Sequence, residues 1–169
     1  LNKIDDFFQT GLAHTPEDAG LWDKGALLAQ WYAFIAPQGS DERALNYDLT
    51  LERYRRAIEL RPNWPYTYMM LANFKMQLGQ IDEEFQASFK RALELGPNEP
   101  RIQERAVQNG LYVWNDMENT IQDMIRQTID SMTQHNPNRL LKAGERYNKL
   151  ALLCDLVDPQ INWYEKKCQ

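Results

Sequence analysis

Strand-like alternation of apolar and polar residues is missing from this chain, and only eight glycines interrupt its 169 residues. Helix is therefore the regular structure to expect. Positive charge is short: the formal net charge is −5. A sequence-independent nucleic-acid binder needs a basic face to neutralise phosphates, so nucleic acid is not an expected partner. No apolar run reaches the roughly eighteen residues that cross a membrane, and no signal peptide is visible. The chain starts at Leu1 and not at a methionine, so it reads as a cut or processed piece. A missing targeting segment then says little about the native protein.

Chemistry-bearing clusters are also sparse. Two cysteines (Cys154, Cys168) and two histidines (His14, His135) are scattered without zinc-type spacing, so neither a metal nor a cofactor is expected. There is no Gly-rich phosphate loop and no GxSxG elbow, and no enzyme is expected. Asp82, Glu83 and Glu84 could pass for catalytic carboxylates, but acids at a helix start favour the dipole and stay solvated. His14 and His135 sit at helix ends before a proline, where capping or solvent contact outweighs acid–base work. Cys154 reads as a buried thiol on an apolar stripe. Pairing with Cys168 requires the tail to fold back from Pro159, and both readings stay open.

What is present is a globular mixture: 43% apolar and 25% charged residues, enough for one domain with a real core. Steps of three and four place Leu140, Ala143, Tyr147, Leu150, Cys154 and Val157 on one helical face, and Ile121, Ile125, Thr128, Ile129 and Met132 on another. Thr15-Pro16, Ser40 before Asp41-Glu42, and Asn115 with Glu118 read as helix starts. Gly79 and Gly96 read as stops. The predicted helices are 2–12, 16–36, 41–60, 65–78, 82–95, 99–113, 117–134 and 138–157.

A phrase recurs. RRAIELRPNWP at 55–65 returns as KRALELGPNEP at 90–100, with a weaker echo in QTGLAHTPED at 9–18. Such self-similarity marks a helical solenoid. Ala57 and Ala92 take one place in the phrase, where a small residue lets two helices approach. Tyr54 and Phe89 take the aromatic place one turn earlier. Most methionines and tryptophans, Trp22 among them, read as repeat core, and Trp64 as a clamp on its turn. The segment from Pro62 to Pro97, with Tyr68, Leu71, Ala72 and the turn LGQIDEEF, resembles the tetratricopeptide repeat. The resemblance is weaker over 16–62, which has Trp22 in the large position and an insertion around Ala36–Ser40. It is weaker again over 97–137, with Gln103, Ala106 and Val107 at the matching places. Residues 1–15 resemble a lone second helix of a repeat, with Phe8 and Gly11 in the aromatic and small positions. The resemblance implies a single all-α domain over 1–169: a short solenoid of antiparallel helix pairs, closed by a capping helix at 138–157.

RPNWPY and LGPNEPRIQ are more particular than a generic repeat. With GQIDEEF and GLYVW they resemble VpsP-type proteins encoded with bacterial exopolysaccharide biosynthesis genes. That family implies an anchored chain with its repeats on the periplasmic side, the anchor lying outside this sequence; a cytoplasmic location is the alternative.

In the tetratricopeptide family the first helix of each repeat lines a concave groove. Carried over, this implies partner contacts at Asp23, Gln30 and Trp31, with Leu27, in the first unit. In the second they fall at Tyr66, Met69, Asn73, Met76 and Gln77. In the third they fall at Arg101, Glu104, Gln108 and Tyr112, with Leu111. The mixture of aromatics and amides suits an extended peptide or a partner helix. No lysine stands where co-chaperone repeats clamp an acidic terminus. The expected function is a non-enzymatic interaction scaffold for an exopolysaccharide assembly. The alternative is direct polysaccharide binding, with Trp31, Tyr66 and Tyr112 as stacking surfaces.

Overall fold

The computed structural model describes residues 2–158, 160 and 168. Every regular element among them is helical: α1 (Asn2–His14), α2 (Ala19–Ile35), α3 (Asp41–Leu60), α4 (Pro65–Gln77), α5 (Glu83–Leu95), α6 (Pro100–Tyr112), a single 3₁₀ turn (Trp114–Asp116), α7 (Asn119–His135), α8 (Pro137–Glu145) and α9 (Leu150–Leu156). The protein is all-α, as the missing strand pattern implies. None of the described helices is long and apolar enough to cross a membrane. The chain divides into two compact units, residues 1–71 and 72–169, with the division falling inside α4.

The repeated phrase takes one local structure each time it occurs. Before each proline the chain closes a last helical turn onto the small position: Thr15 N–H donates to the Gly11 carbonyl at 2.8 Å, Arg61 to Ala57 at 3.0 Å and Gly96 to Ala92 at 3.0 Å. A tight turn follows, in which Asp18, Trp64 and Glu99 donate back to Thr15, Arg61 and Gly96 at 3.1, 3.3 and 3.2 Å. Then the next helix reaches back. Trp22 Nε1, Tyr68 Oη and Gln103 Nε2 donate to the carbonyls of Pro16, Pro62 and Pro97 at 2.8, 3.0 and 2.9 Å. Each bond satisfies a loop carbonyl and ties the second turn of the incoming helix to the loop it left.

Ala57 and Ala92 have no exposed surface, and Tyr54 and Phe89 have almost none. The small position is therefore closed to larger side chains. Ala92→Leu is expected to overpack it and cost about 1–3 kcal/mol. Glu94→Leu, at a solvent-facing residue that pairs with Arg91 at 3.2 Å, should stay within about 0.5 kcal/mol. Urea midpoints of the two variants test the alignment; equal midpoints would remove it.

In residues 1–71, α2 and α3 pack as an antiparallel pair. Arg43 Nε donates to the Ala33 carbonyl at 2.9 Å, and Arg53 Nη1 to the Gly25 carbonyl at 2.8 Å, so contacts run down α2 as they run up α3. A Cβ on Gly25 would lie 2.2 Å from the Phe8 ring. Glycine is needed there because α1 lays that ring against α2, and the buried Arg53 guanidinium caps it, 4.3 Å from the ring centroid. In residues 72–169, Phe74, Phe85, Phe89, Ile102, Leu111 and Leu140 fill the core with the Ile121, Ile125, Ile129 and Met132 stripe of α7. Buried Lys75 lies between Asp82 Oδ2 at 2.9 Å and Glu84 Oε2 at 2.7 Å. Asp82 also caps α5, accepting from Phe85 N–H at 3.0 Å. Desolvation pushes its carboxyl up, but the Lys75 and Phe85 hydrogen bonds and the Lys75 charge together outweigh it and hold the group below the usual range. The acid run is thus an N-terminal cap and ion pair.

Four local expectations change. Asp18, not Thr15, caps α2, accepting from Gly20 and Leu21 N–H, while the Thr15 hydroxyl turns back to the Gly11 carbonyl. Asn115 lies in the 3₁₀ turn and makes no capping box with Glu118; Gln86 serves instead, accepting from Glu118 N–H at 3.4 Å and donating to the Asp116 carbonyl at 2.7 Å. The helix expected at 138–157 is two helices, because α8 ends at Glu145 and Asn148 takes a left-handed φ of 56°. Asparagine tolerates that conformation better than most residues. The break breaks the stripe too: Leu140 and Ala143 stay buried on α8, and Leu153 joins Cys154 on α9. Finally, Cys154 is not a free thiol. It is bonded to Cys168, with Cα atoms 5.6 Å apart.

Candidate functional site

Among the described residues, each unit carries a surface that its own packing leaves open. In residues 1–71 it lies on α2, where Leu27, Trp31, Phe34 and Ile35 fall within an arc of about 100° at 3.6 residues per turn. All four are half-exposed, at 47%, 49%, 52% and 52%. Such a run of large apolar side chains left in water is unusual for a helix whose other face is well packed. The opposite side explains the asymmetry: Gly25, Ala26, Ala29 and Ala33 are buried, so α2 offers α1 and α3 a face of small residues and sends its bulk outward. Leu45, on α3, is also exposed.

A polar network borders the stripe. Asp23 accepts from Arg61 Nη2 at 2.5 Å and from the Thr67 hydroxyl at 2.8 Å. Burial lifts its carboxyl above the usual range even though the Thr67 hydroxyl and the Arg61 charge pull the other way. The Arg61 guanidinium also lies over the Trp64 ring, 4.6 Å from its centroid, and Trp64 packs on Tyr66 at 5.2 Å. Gln30 accepts from the buried Tyr54 hydroxyl at 3.3 Å, a phenol whose pKa burial drives upward. Asp23, Gln30 and Tyr66 are thus half-buried residues engaged within the fold, and Met69 is buried outright. Of the six positions expected in this unit to meet a partner, Leu27 and Trp31 are the two the fold leaves half-exposed.

In residues 72–169 one such surface is a cleft of about 300 Å³ lined by Arg101, Glu104, Arg105 and Gln108 of α6 and by Arg146 at the end of α8. Gln108 Nε2 donates to Glu104 Oε1 at 3.3 Å. Tyr112, half-exposed at the end of α6, packs on Tyr147 with centroids 4.7 Å apart, and the Arg146 guanidinium lies 5.9 Å from the Tyr147 ring. The structure therefore brings Arg101, Glu104 and Gln108 into one cleft and sets Tyr112 in a ring pair that reaches Arg146. The remaining expected positions differ. Asn73 is buried against Asn109 at 3.3 Å, Met76 is buried, and Gln77 is exposed on the last turn of α4.

Sequence reasoning missed Phe34, Ile35, Arg105 and Arg146. The first two were signalled, since continuing the steps from Leu27 and Trp31 reaches them. Arg105 was signalled by its place one turn after Arg101. Arg146 had no such signal, because only the packing of α8 on α6 brings it to the cleft. Among the described residues no three histidines, cysteines or acids are grouped as a metal site. No protein-family model matches this chain, and no curated protein matches it significantly.

Proposed function

We propose that the chain is a non-enzymatic protein-interaction module of helical repeats whose partner docks an apolar helix or extended segment on the α2 stripe. The observation that carries this reading is the exposed set Leu27, Trp31, Phe34 and Ile35. Apolar groups left in water gain free energy when a partner covers them, and a tryptophan at the centre of such a patch is the commonest energetic anchor. The recurrence of one turn geometry at Pro16, Pro62 and Pro97 supports the repeat, and RPNWPY with LGPNEPRIQ suggests an exopolysaccharide biosynthesis or export assembly as its setting. The Cys154–Cys168 bond favours the periplasmic side, since such bonds persist in oxidising compartments.

Affinity capture from envelope extracts tests both parts. The expected catch is glycosyltransferase, transport or regulatory components of such an assembly. Trp31→Ala should weaken their binding about thirtyfold, the equivalent of about 2 kcal/mol. Recovery of cytosolic proteins alone would remove the envelope assignment. Full binding by Trp31→Ala would remove the stripe.

A further inference from the structure

We propose that the α6–α8 cleft is a binding site for an acidic saccharide, taking the carboxylate and hydroxyls of one sugar residue. The proposal stands on residues 101–147 and does not depend on the α2 stripe.

Three guanidinia, from Arg101, Arg105 and Arg146, line this one cleft against a single carboxylate, Glu104. The chain as a whole carries a net charge of −5, so the cleft is a local reversal of sign. Among the described residues none of the three arginines has a carboxylate partner. Elsewhere the fold uses its arginines: Arg56 pairs with Glu59, Arg61 with Asp23, Arg91 with Glu94 and Arg126 with Asp123. Arg101 and Arg105 stand one helical turn apart, a like-charge spacing that works against the helix. Arg146 adds a third cation from another helix. An anion entering the cleft offsets the positive charge that these three side chains bring to it, and guanidinium groups bind carboxylates through paired hydrogen bonds.

The remaining groups choose the kind of anion. A fully ionised phosphate or sulfate offers only acceptors and would face the Glu104 carboxylate directly. A sugar acid offers a carboxylate for the arginines and hydroxyls that donate as well as accept. Glu104 and the Gln108 amide, 3.3 Å apart, supply acceptor oxygens beside the cationic donors. Next to Arg146, the Tyr112–Tyr147 pair presents two rings tilted by 46°. The half-exposed Tyr112 ring suits the C–H surface of a sugar ring. The volume of about 300 Å³ is at the small end of ligand clefts and matches one residue of a longer chain.

Calorimetric titration of the intact protein with tri-galacturonate, maltotriose and tri-glutamate tests this. Tri-galacturonate should bind, and more weakly as salt rises. Maltotriose should bind at least about tenfold more weakly, as should tri-glutamate, which has the acids without the sugar hydroxyls. The double variant Arg105→Gln/Arg146→Gln should lose about tenfold or more in tri-galacturonate affinity. Both arginines are exposed, so its melting curve should match wild type. Tyr112→Ala should weaken the same ligand. No binding of tri-galacturonate overturns the proposal, as does undiminished binding by the double variant. Equal affinity for maltotriose shows that the acid is not read. Equal affinity for tri-glutamate makes the cleft a site for acidic peptide and overturns the saccharide assignment.

Discussion

Phe89→Ala should lower the stability of the protein by about 3–5 kcal/mol, the range for removing a buried aromatic ring. Phe89 has no exposed surface and packs against Phe85 with ring centroids 5.7 Å apart. Its loss therefore removes transfer free energy, leaves a cavity and breaks a ring pair. Domains of this size are stable by only about 5–15 kcal/mol, so the variant should unfold at a far lower urea concentration. Phe34→Ala is the control. That ring is 52% exposed, and its removal should change stability by no more than about 0.5 kcal/mol. The two phenylalanines thus separate what holds the fold from what the fold holds outward. Equal midpoints would mean that Phe89 lies outside the core.

Opening the Cys154–Cys168 bond should cost about 3 kcal/mol. The two residues are 14 apart in sequence, and closing a loop of that length removes about this much conformational free energy from the unfolded chain. Cys154 sits on α9 beside the buried Leu153, which packs so closely on Gly144 that a Cβ there would lie 2.7 Å from a Leu153 methyl. The bond thus fastens Cys168 to a helix that is itself seated in the core. Cys168→Ser should match the reduced wild type in urea unfolding and show no further response to reductant. A Cys168→Ser midpoint equal to that of the oxidised wild type would mean that the bond does not form.

Much of the molecule was legible one residue at a time. The α7 stripe is buried at every position read from its spacing, Ser40 caps α3 by accepting from Arg43 N–H, and Gly79 takes a φ of 70° where α4 stops. These features depend on residues within a turn or two of each other, and helical periodicity exposes them directly. The repeat junctions were legible for the same reason. The large position after each proline needs a long side chain with a donor more than it needs bulk. Gln103 meets that need as well as Trp22 and Tyr68 do, although it departs most from the family pattern.

Most of the helices, their order and the junctions could thus be read along the chain, because those rest on contacts close in sequence. The sequence by itself did not determine the break at Asn148, the bond from Cys154 to Cys168, or which of the expected partner residues turn inward. Asp23 and Asn73 share helical faces with the exposed Leu27 and Gln77, and only their neighbours from other helices, or the lack of them, fix their burial. The arginine cleft is the clearest case. Arg101 and Arg105 stand one turn apart on α6 and Arg146 at the end of α8, and nothing local couples Arg146 to the other two. Only tertiary packing sets their charges around one volume, because the free energy of placing like charges together depends on distance in space and not on distance along the chain.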